Sequence, residues 1–249
     1  MIYPPQSRAE QRELRRKAGF TSRVSIPNEN ALRVCSIPGC GKPPQARAGR
    51  GLSLTHCRLH IQRRNRHGSF WKGTLSAAAL KPYRHAAESY LKANLSDFWV
   101  SHALLAIQGL LEGAGPVERV VDLKRMKPDR KARAAFARMR RAGVPPLRLL
   151  VDHLAITGAV QEDPIRPGGE PGFYLQTQLG KAALRKASGY HSVYGPDSRY
   201  DVYPRSAGQF LRIIGRKLDK ACEHVAHRHL EAVLALKAKR VRGANNGVI

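Results

Sequence analysis

Acidic residues are scarce in this chain of 249 residues: 18 Asp and Glu stand against 44 Lys and Arg, a formal charge of +26. Such an imbalance opposes compact folding unless an anion neutralises it, and a long polyanion is the natural partner. With so few carboxylates, no D-x-D or comparable pair points to two-metal phosphodiester cleavage. Aromatics make up only 6 %, too few for a platform that stacks unpaired bases, so a duplex is the better fit than a single strand. No run of about 18 apolar residues exists to cross a bilayer. Nor do the basic residues lie opposite a Trp/Phe/Leu stripe, so a membrane is not the expected partner. The chain also lacks a P-loop, a Rossmann glycine pattern, G-x-S-x-G and H-E-x-x-H, and enzymatic activity has no positive support.

Cysteine is scarce too, with four in all, and three of them fall in one short stretch. Cys35-Ser-Ile-Pro-Gly-Cys40 is followed after sixteen residues by Cys57-Arg-Leu-His60. This C-x4-C…C-x2-H spacing is that of two ligand hooks closing on a tetrahedral Zn2+. Pro38-Gly39 turns the first hook. Cys57 and His60, three apart, share a face of a helix that continues through Arg66. With Cys35, Cys40, Cys57 and His60 all supplied by protein, no coordination position is left for substrate, and the expected role is structural. The competing readings are free thiols or a disulfide, and His56 in place of His60. No signal peptide, membrane helix or lipidation motif is seen, so the expectation is a reducing, cytoplasmic setting on the nucleoid, compatible with the unpaired Cys222.

The pattern along the chain predicts a basic, flexible arm over 1–30, a zinc module and linker over 31–74, a helical domain over 75–188, and a Tyr-rich loop with a long C-terminal helix over 189–249. Helices are expected over about 75–93, 97–112 (capped by Ser96), 117–126, 129–142, 145–157, 179–188 and 206–240. Two short strands around Pro167-Gly-Gly-Glu-Pro-Gly172 are expected between the last-but-two and last-but-one of these. The fold class expected is mainly α, with a small β-hairpin and an N-terminal metal module.

The stretch Arg130–Lys186 resembles a winged helix-turn-helix domain of bacterial transcription factors. The resemblance rests on helix, turn at Ala142-Gly-Val-Pro-Pro146, helix, glycine-rich hairpin, and the run from Tyr174 to Leu184, close to Y-x-L-T-x-x-G-x-x-A-L. It implies a recognition helix at about 145–157 that offers Arg148 to the major groove, and a preceding helix whose Arg130, Lys131, Arg133, Arg138, Arg140 and Arg141 contact phosphates. The Cys/His segment resembles small C-x4-C…C-x2-H units of phage and mobile-element proteins, some attached to HNH endonucleases. Its helix would bring Arg58, Arg63, Arg64 and Arg66 to nucleic acid. The function expected is therefore binding of nucleic acid, first of all duplex DNA, by a zinc-containing protein of a phage, plasmid or other mobile element, with self-association or a protein partner left open.

Two other readings stand beside it. One is a metal-dependent nuclease or strand-transfer enzyme using Tyr190, Tyr194, Tyr200 or Tyr203 with His224 and His227. The other is a structural protein that binds RNA.

Overall fold

In the computed structural model the described residues are 34–44, 53, 55–123, 125–163, 171–186 and 208–246. The predicted basic arm, the loop between the ligand hooks at 45–52 and the four tyrosines of the 189–204 loop lie outside them. The chain divides into two compact units, residues 1–59 and residues 60–249. Among the described residues there are eight helices: α1 (Arg58–His67), α2 (Ala77–Ala93), α3 (Phe98–Glu112), α4 (Val120–Leu123), α5 (Pro128–Arg141), α6 (Pro146–Gln161), α7 (Pro171–Lys186) and α8 (Gln209–Asn246).

The helix starts follow local chemistry. Ser76 caps α2 by accepting from the Ala79 amide at 3.0 Å. Asp97, rather than the expected Ser96, caps α3, its carboxylate accepting from the Trp99 and Val100 amides at 2.9 and 3.0 Å. Those amides hold the Asp97 carboxyl below the usual range, the Val100 bond being the largest cause. Pro128 and Pro146 open α5 and α6, where a missing N–H costs nothing. Between these helices Gly143 takes φ +63°, the Val144 amide donates to Met139 O and the Gly143 amide to Arg140 O. That pairing ends α5 in a Schellman turn, with Val144 and Met139 both buried.

Helix α6 runs through the middle of the second unit. Every residue from Leu149 to Ile156 is buried, including Asp152 and His153. Leu91, Ile107, Phe136, Leu150, Leu154, Leu211, Ile214 and Val233 join it in one core that draws on α2, α3, α5, α6 and α8. The long C-terminal helix is thus part of the same core as the helices before it.

Two polar ties cross this core. The Asp152 carboxylate meets Arg84 Nε at 2.6 Å and Lys186 Nζ at 3.0 Å, joining α2, α6 and α7. His153 Nε2 meets Asp219 Oδ1 on α8 at 3.1 Å. At the C-terminal end of α6, Glu162 accepts from Tyr83 OH at 2.6 Å and pairs with Lys237. Helices α7 and α8 approach until their backbones touch: a Cβ on Gly180 would lie 2.2 Å from Leu211 O, and one on Gly215 would lie 1.9 Å from Gln176 O.

The expected winged helix is overturned. No strand occurs among the described residues: of the segments read as strands, 159–161 is the end of α6 and 173–177 lies in α7, while 164–170, with most of the Pro/Gly tip, lies outside the described residues. Tyr174, Gln178, Leu179, Ala182 and Ala183 are buried at the three-to-four residue spacing of a helix, and Pro171 suits a first helical turn. Gly158, expected to stop α6, lies inside it, where Leu234 and Tyr83 crowd its Cα. The expected recognition helix has no broad face to lay in a groove, because α6 is covered over most of its circumference.

Candidate metal centre

The first hook is shaped by its own backbone. Gly39, at φ +75°, carries the turn that Pro38 begins, and the Cys40 amide donates to Ile37 O at 3.1 Å. The Cys35 amide donates to Lys42 O at 2.8 Å, closing the hook. Ser36 ties it to the second hook, its amide and its hydroxyl both donating to Thr55 O, at 2.7 and 2.9 Å. Immediately afterwards the Cys57 amide donates to Cys35 Sγ at 3.4 Å, fixing that sulfur beside the second hook. Cys57 directly precedes α1, and His60 is the third residue of that helix, so local helical geometry fixes the C-x2-H pair.

The outcome is that Cys35, Cys40, Cys57 and His60 bring their ligand atoms within 4.8 Å of one another. Cys35 and Cys57 are buried, Cys40 and His60 half-buried. Cys40 Sγ and Cys57 Sγ are 3.7 Å apart, too far for a disulfide, and none of the four cysteines is disulfide-bonded. The Lys42 amide lowers the Cys40 pKa, but burial and the neighbouring Cys57 and Cys35 sulfurs outweigh it and raise the thiol above its ordinary value. Crowded thiols of this kind are relieved when a cation replaces their protons. The arrangement can hold a metal ion. It is the only such group of three or more His, Cys, Asp or Glu side chains among the described residues. His56, the other imidazole considered, turns its Nδ1 to Thr55 Oγ1 at 2.8 Å and is not part of it.

The histidines near the C-terminus do not converge. The His224 ring packs on Trp99 at 4.8 Å between centroids and near His102 at 6.4 Å, His227 is exposed, and His229 reaches Asp97 and Tyr90 at 3.1 and 3.0 Å. His224 and His227 share a face at three-residue spacing, but with His229 turned to Asp97 and Tyr90 no group of three or more ligand side chains forms there among the described residues.

The arginines expected at nucleic acid fall into two groups. Arg58, Arg63 and Arg66 are exposed on α1, whereas Arg64 lies over the Phe173 ring at 4.2 Å and the Phe70 ring at 5.3 Å. On α5, Arg133 and Arg141 are exposed, as is Arg148 on α6, and Lys131 is half-buried. Arg138 is buried, and Arg130 is bound to Glu118 at 2.9 Å. Arg140 donates to the carbonyls of Leu111, Glu112 and Gly115 at 3.2, 2.9 and 2.7 Å, satisfying the C-terminal end of α3. Sequence reasoning read α5 as basic on most of its circumference, yet seven of its residues, Arg138 among them, are buried.

No family model, curated protein or solved structure matches this chain. Among the described residues no helix is long and apolar enough to cross a membrane.

Proposed function

We propose that the chain is a nucleic-acid-binding protein that takes duplex DNA, with an N-terminal module closed around a structural zinc ion. The donor set supports zinc: three thiolates and an imidazole are soft to borderline ligands, and all four come from the protein. A tetrahedral site with Zn–S bonds of about 2.3 Å has sulfur–sulfur edges of about 3.8 Å. The Cys40–Cys57 separation of 3.7 Å fits that edge. Zinc would hold the two hooks together, and Arg58 is carried at the first position of the helix that the second hook begins.

The observation that carries the reading is α1 itself. Its ten residues include Arg58, Arg63, Arg64, Arg66 and two histidines with no acidic residue, in a chain of charge +26. Arg58, Arg63 and Arg66 are exposed, and a helix of this composition holds phosphates by charge. Arg133, Arg141 and Arg148 are further exposed cations.

The experiment is fluorescence anisotropy of the full chain, zinc-loaded, with labelled duplex DNA, single-stranded DNA and structured RNA over a salt series. Duplex is expected to bind tightest and to be released by salt. Replacing Arg58, Arg63 and Arg66 by Ala should flatten the dependence of log K on log salt by about 2 to 3 units. Duplex affinity that ignores salt, or a slope unchanged by the triple replacement, would sink the reading; tighter binding of RNA would overturn duplex DNA as the partner.

A further inference from the structure

Where α1 ends and α7 passes, Lys181 meets two polar side chains, Thr74 and His67, that the sequence sets 107 and 114 residues away. Lys181 Nζ donates to Thr74 Oγ1 at 2.7 Å and to His67 Nδ1 at 3.2 Å, and Thr74 Oγ1 stands 2.9 Å from the same His67 nitrogen. All three residues are half-buried. The backbone around them is tied down: Gln178 Nε2 donates to His67 O at 2.8 Å, the Leu75 amide to Gln178 Oε1 at 3.1 Å, and Tyr174 OH to Gly73 O at 3.0 Å.

The cluster has more donors than acceptors. An ammonium brings three protons and a hydroxyl one, facing two acceptor atoms, the Thr74 oxygen and His67 Nδ1. Among the described residues no carboxylate pairs with Lys181. Asp163, the nearby acid, pairs with Lys72. The charges that bear on Lys181 are cations, Arg185 from its own helix and Arg66 from α1, and Arg63 also acts on His67. Burial, then these neighbours, bring the ammonium down to about 8, and burial, then Lys181 and the two arginines, hold the imidazole near 4. His67 is therefore neutral at pH 7 and free to accept at Nδ1. A preorganised set of surplus donors with further cations beside it is what binds a tetrahedral oxyanion.

We propose that Lys181 and Thr74, oriented by His67 and flanked by Arg66 and Arg185, bind a single phosphate group. That this group belongs to a nucleic-acid backbone rests on the function proposed above; the site's capacity for phosphate does not. A backbone phosphate seated here would be held by directed hydrogen bonds, unlike the diffuse contacts of the exposed arginines.

The test uses the full, zinc-loaded chain with 13C-labelled lysine. Inorganic phosphate, titrated against chloride at equal ionic strength, is expected to move the Lys181 Cε resonance saturably and to lift the pKa it reports above 8. Lys181→Met and Thr74→Val should each lower phosphate affinity, Lys181→Met by about tenfold, with thermal unfolding showing both folded. An unmoved Lys181 resonance, or phosphate affinity equal in wild type and Thr74→Val, overturns the site. A 20-bp duplex forms the second arm. Weaker duplex binding by Lys181→Met, steeper above pH 8 in the wild type than in the variant, supports a backbone phosphate. Equal duplex binding by both overturns that source while phosphate binding stands. Failure of the wild type to bind any duplex sinks the proposed function and leaves the inorganic-phosphate result to decide the site.

Discussion

Gly215 on α8 and Gln176 on α7 are in backbone contact, so near that a Cβ added to the glycine would sit 1.9 Å from the Gln176 carbonyl oxygen. Backbone cannot turn aside as a side chain can. Gly215→Ala is therefore expected to force α7 and α8 apart and to cost about 3 kcal/mol, read as a lower midpoint in urea unfolding. Gly158→Ala is the control. Its Cβ would meet Leu234 Cδ2 at 2.9 Å, the end of a movable side chain, and the loss should be nearer 1 kcal/mol. Equal losses in the two variants would refute the backbone contact.

Asp152 is the buried centre of a three-helix tie. Its two cations are each partly in water, so removing the carboxylate strands them less than a fully buried pair would be. Asp152→Ala should destabilise by about 2 kcal/mol. Arg84→Met and Lys186→Met should each cost less, and a double-mutant cycle should show coupling between Asp152 and Arg84.

The four thiols should sort by reaction with a thiol reagent. In metal-loaded native protein Cys35, Cys40 and Cys57 should be protected. Chelation should expose those three together, and Cys222 should react only after unfolding. Cys222 is fully buried, and burial followed by the Asp219 charge pushes its thiol far above the ordinary range. Metal analysis should find one ion per chain, lost in Cys57→Ser. Cobalt bound in place of the native ion should give the spectrum of a tetrahedral thiolate site.

Stability should depend on pH in two windows. His67 titrates near 4 folded and near 6.5 unfolded, so the unfolded chain binds more protons between these values and stability falls as pH drops through them. Lys181 titrates near 8 folded and near 10.5 unfolded, so by the same rule stability rises from pH 8 towards 10.5. Both side chains are partly hydrated, and each effect should be about 1 kcal/mol after screening. Unfolding midpoints of wild type, His67→Gln and Lys181→Met across pH would check it: His67→Gln should flatten the acid window alone, whereas Lys181→Met should flatten the alkaline window and also narrow the acid one, because the Lys181 charge is part of what holds the imidazole down.

The cluster of Cys35, Cys40, Cys57 and His60, which can hold a metal ion, could be read from the chain because hook spacing, turn residues and a C-x2-H helix start are all local. The starts of α2, α3, α5 and α6 could be read for the same reason, within a residue or two. The hairpin reading failed because Tyr174, Thr177 and a Pro/Gly tip imitate strand and turn locally. What decides their state is burial of Tyr174, Leu179 and Ala183 against other helices. The recognition-helix reading failed in a related way, since α6 with its run of leucines is the element the others surround. The phosphate set at His67, Thr74 and Lys181 could not be read at all, because nothing within any one segment hints that those three meet.

Arg140 adds a lesson about charge. Its guanidinium closes the end of α3 on three carbonyls, as Lys237 holds Glu162 and Arg84 holds Asp152. The cations of the chain thus form two populations, one knitted into the bundle and one facing solvent. Added salt should act on them unequally: mobile ions crowd around the outer arginines and would loosen a hold on the proposed polyanion, while the tie of Arg84 to the buried Asp152 sits where few such ions reach. Rising ionic strength would strip the protein from the proposed nucleic acid well before it unfolded the protein.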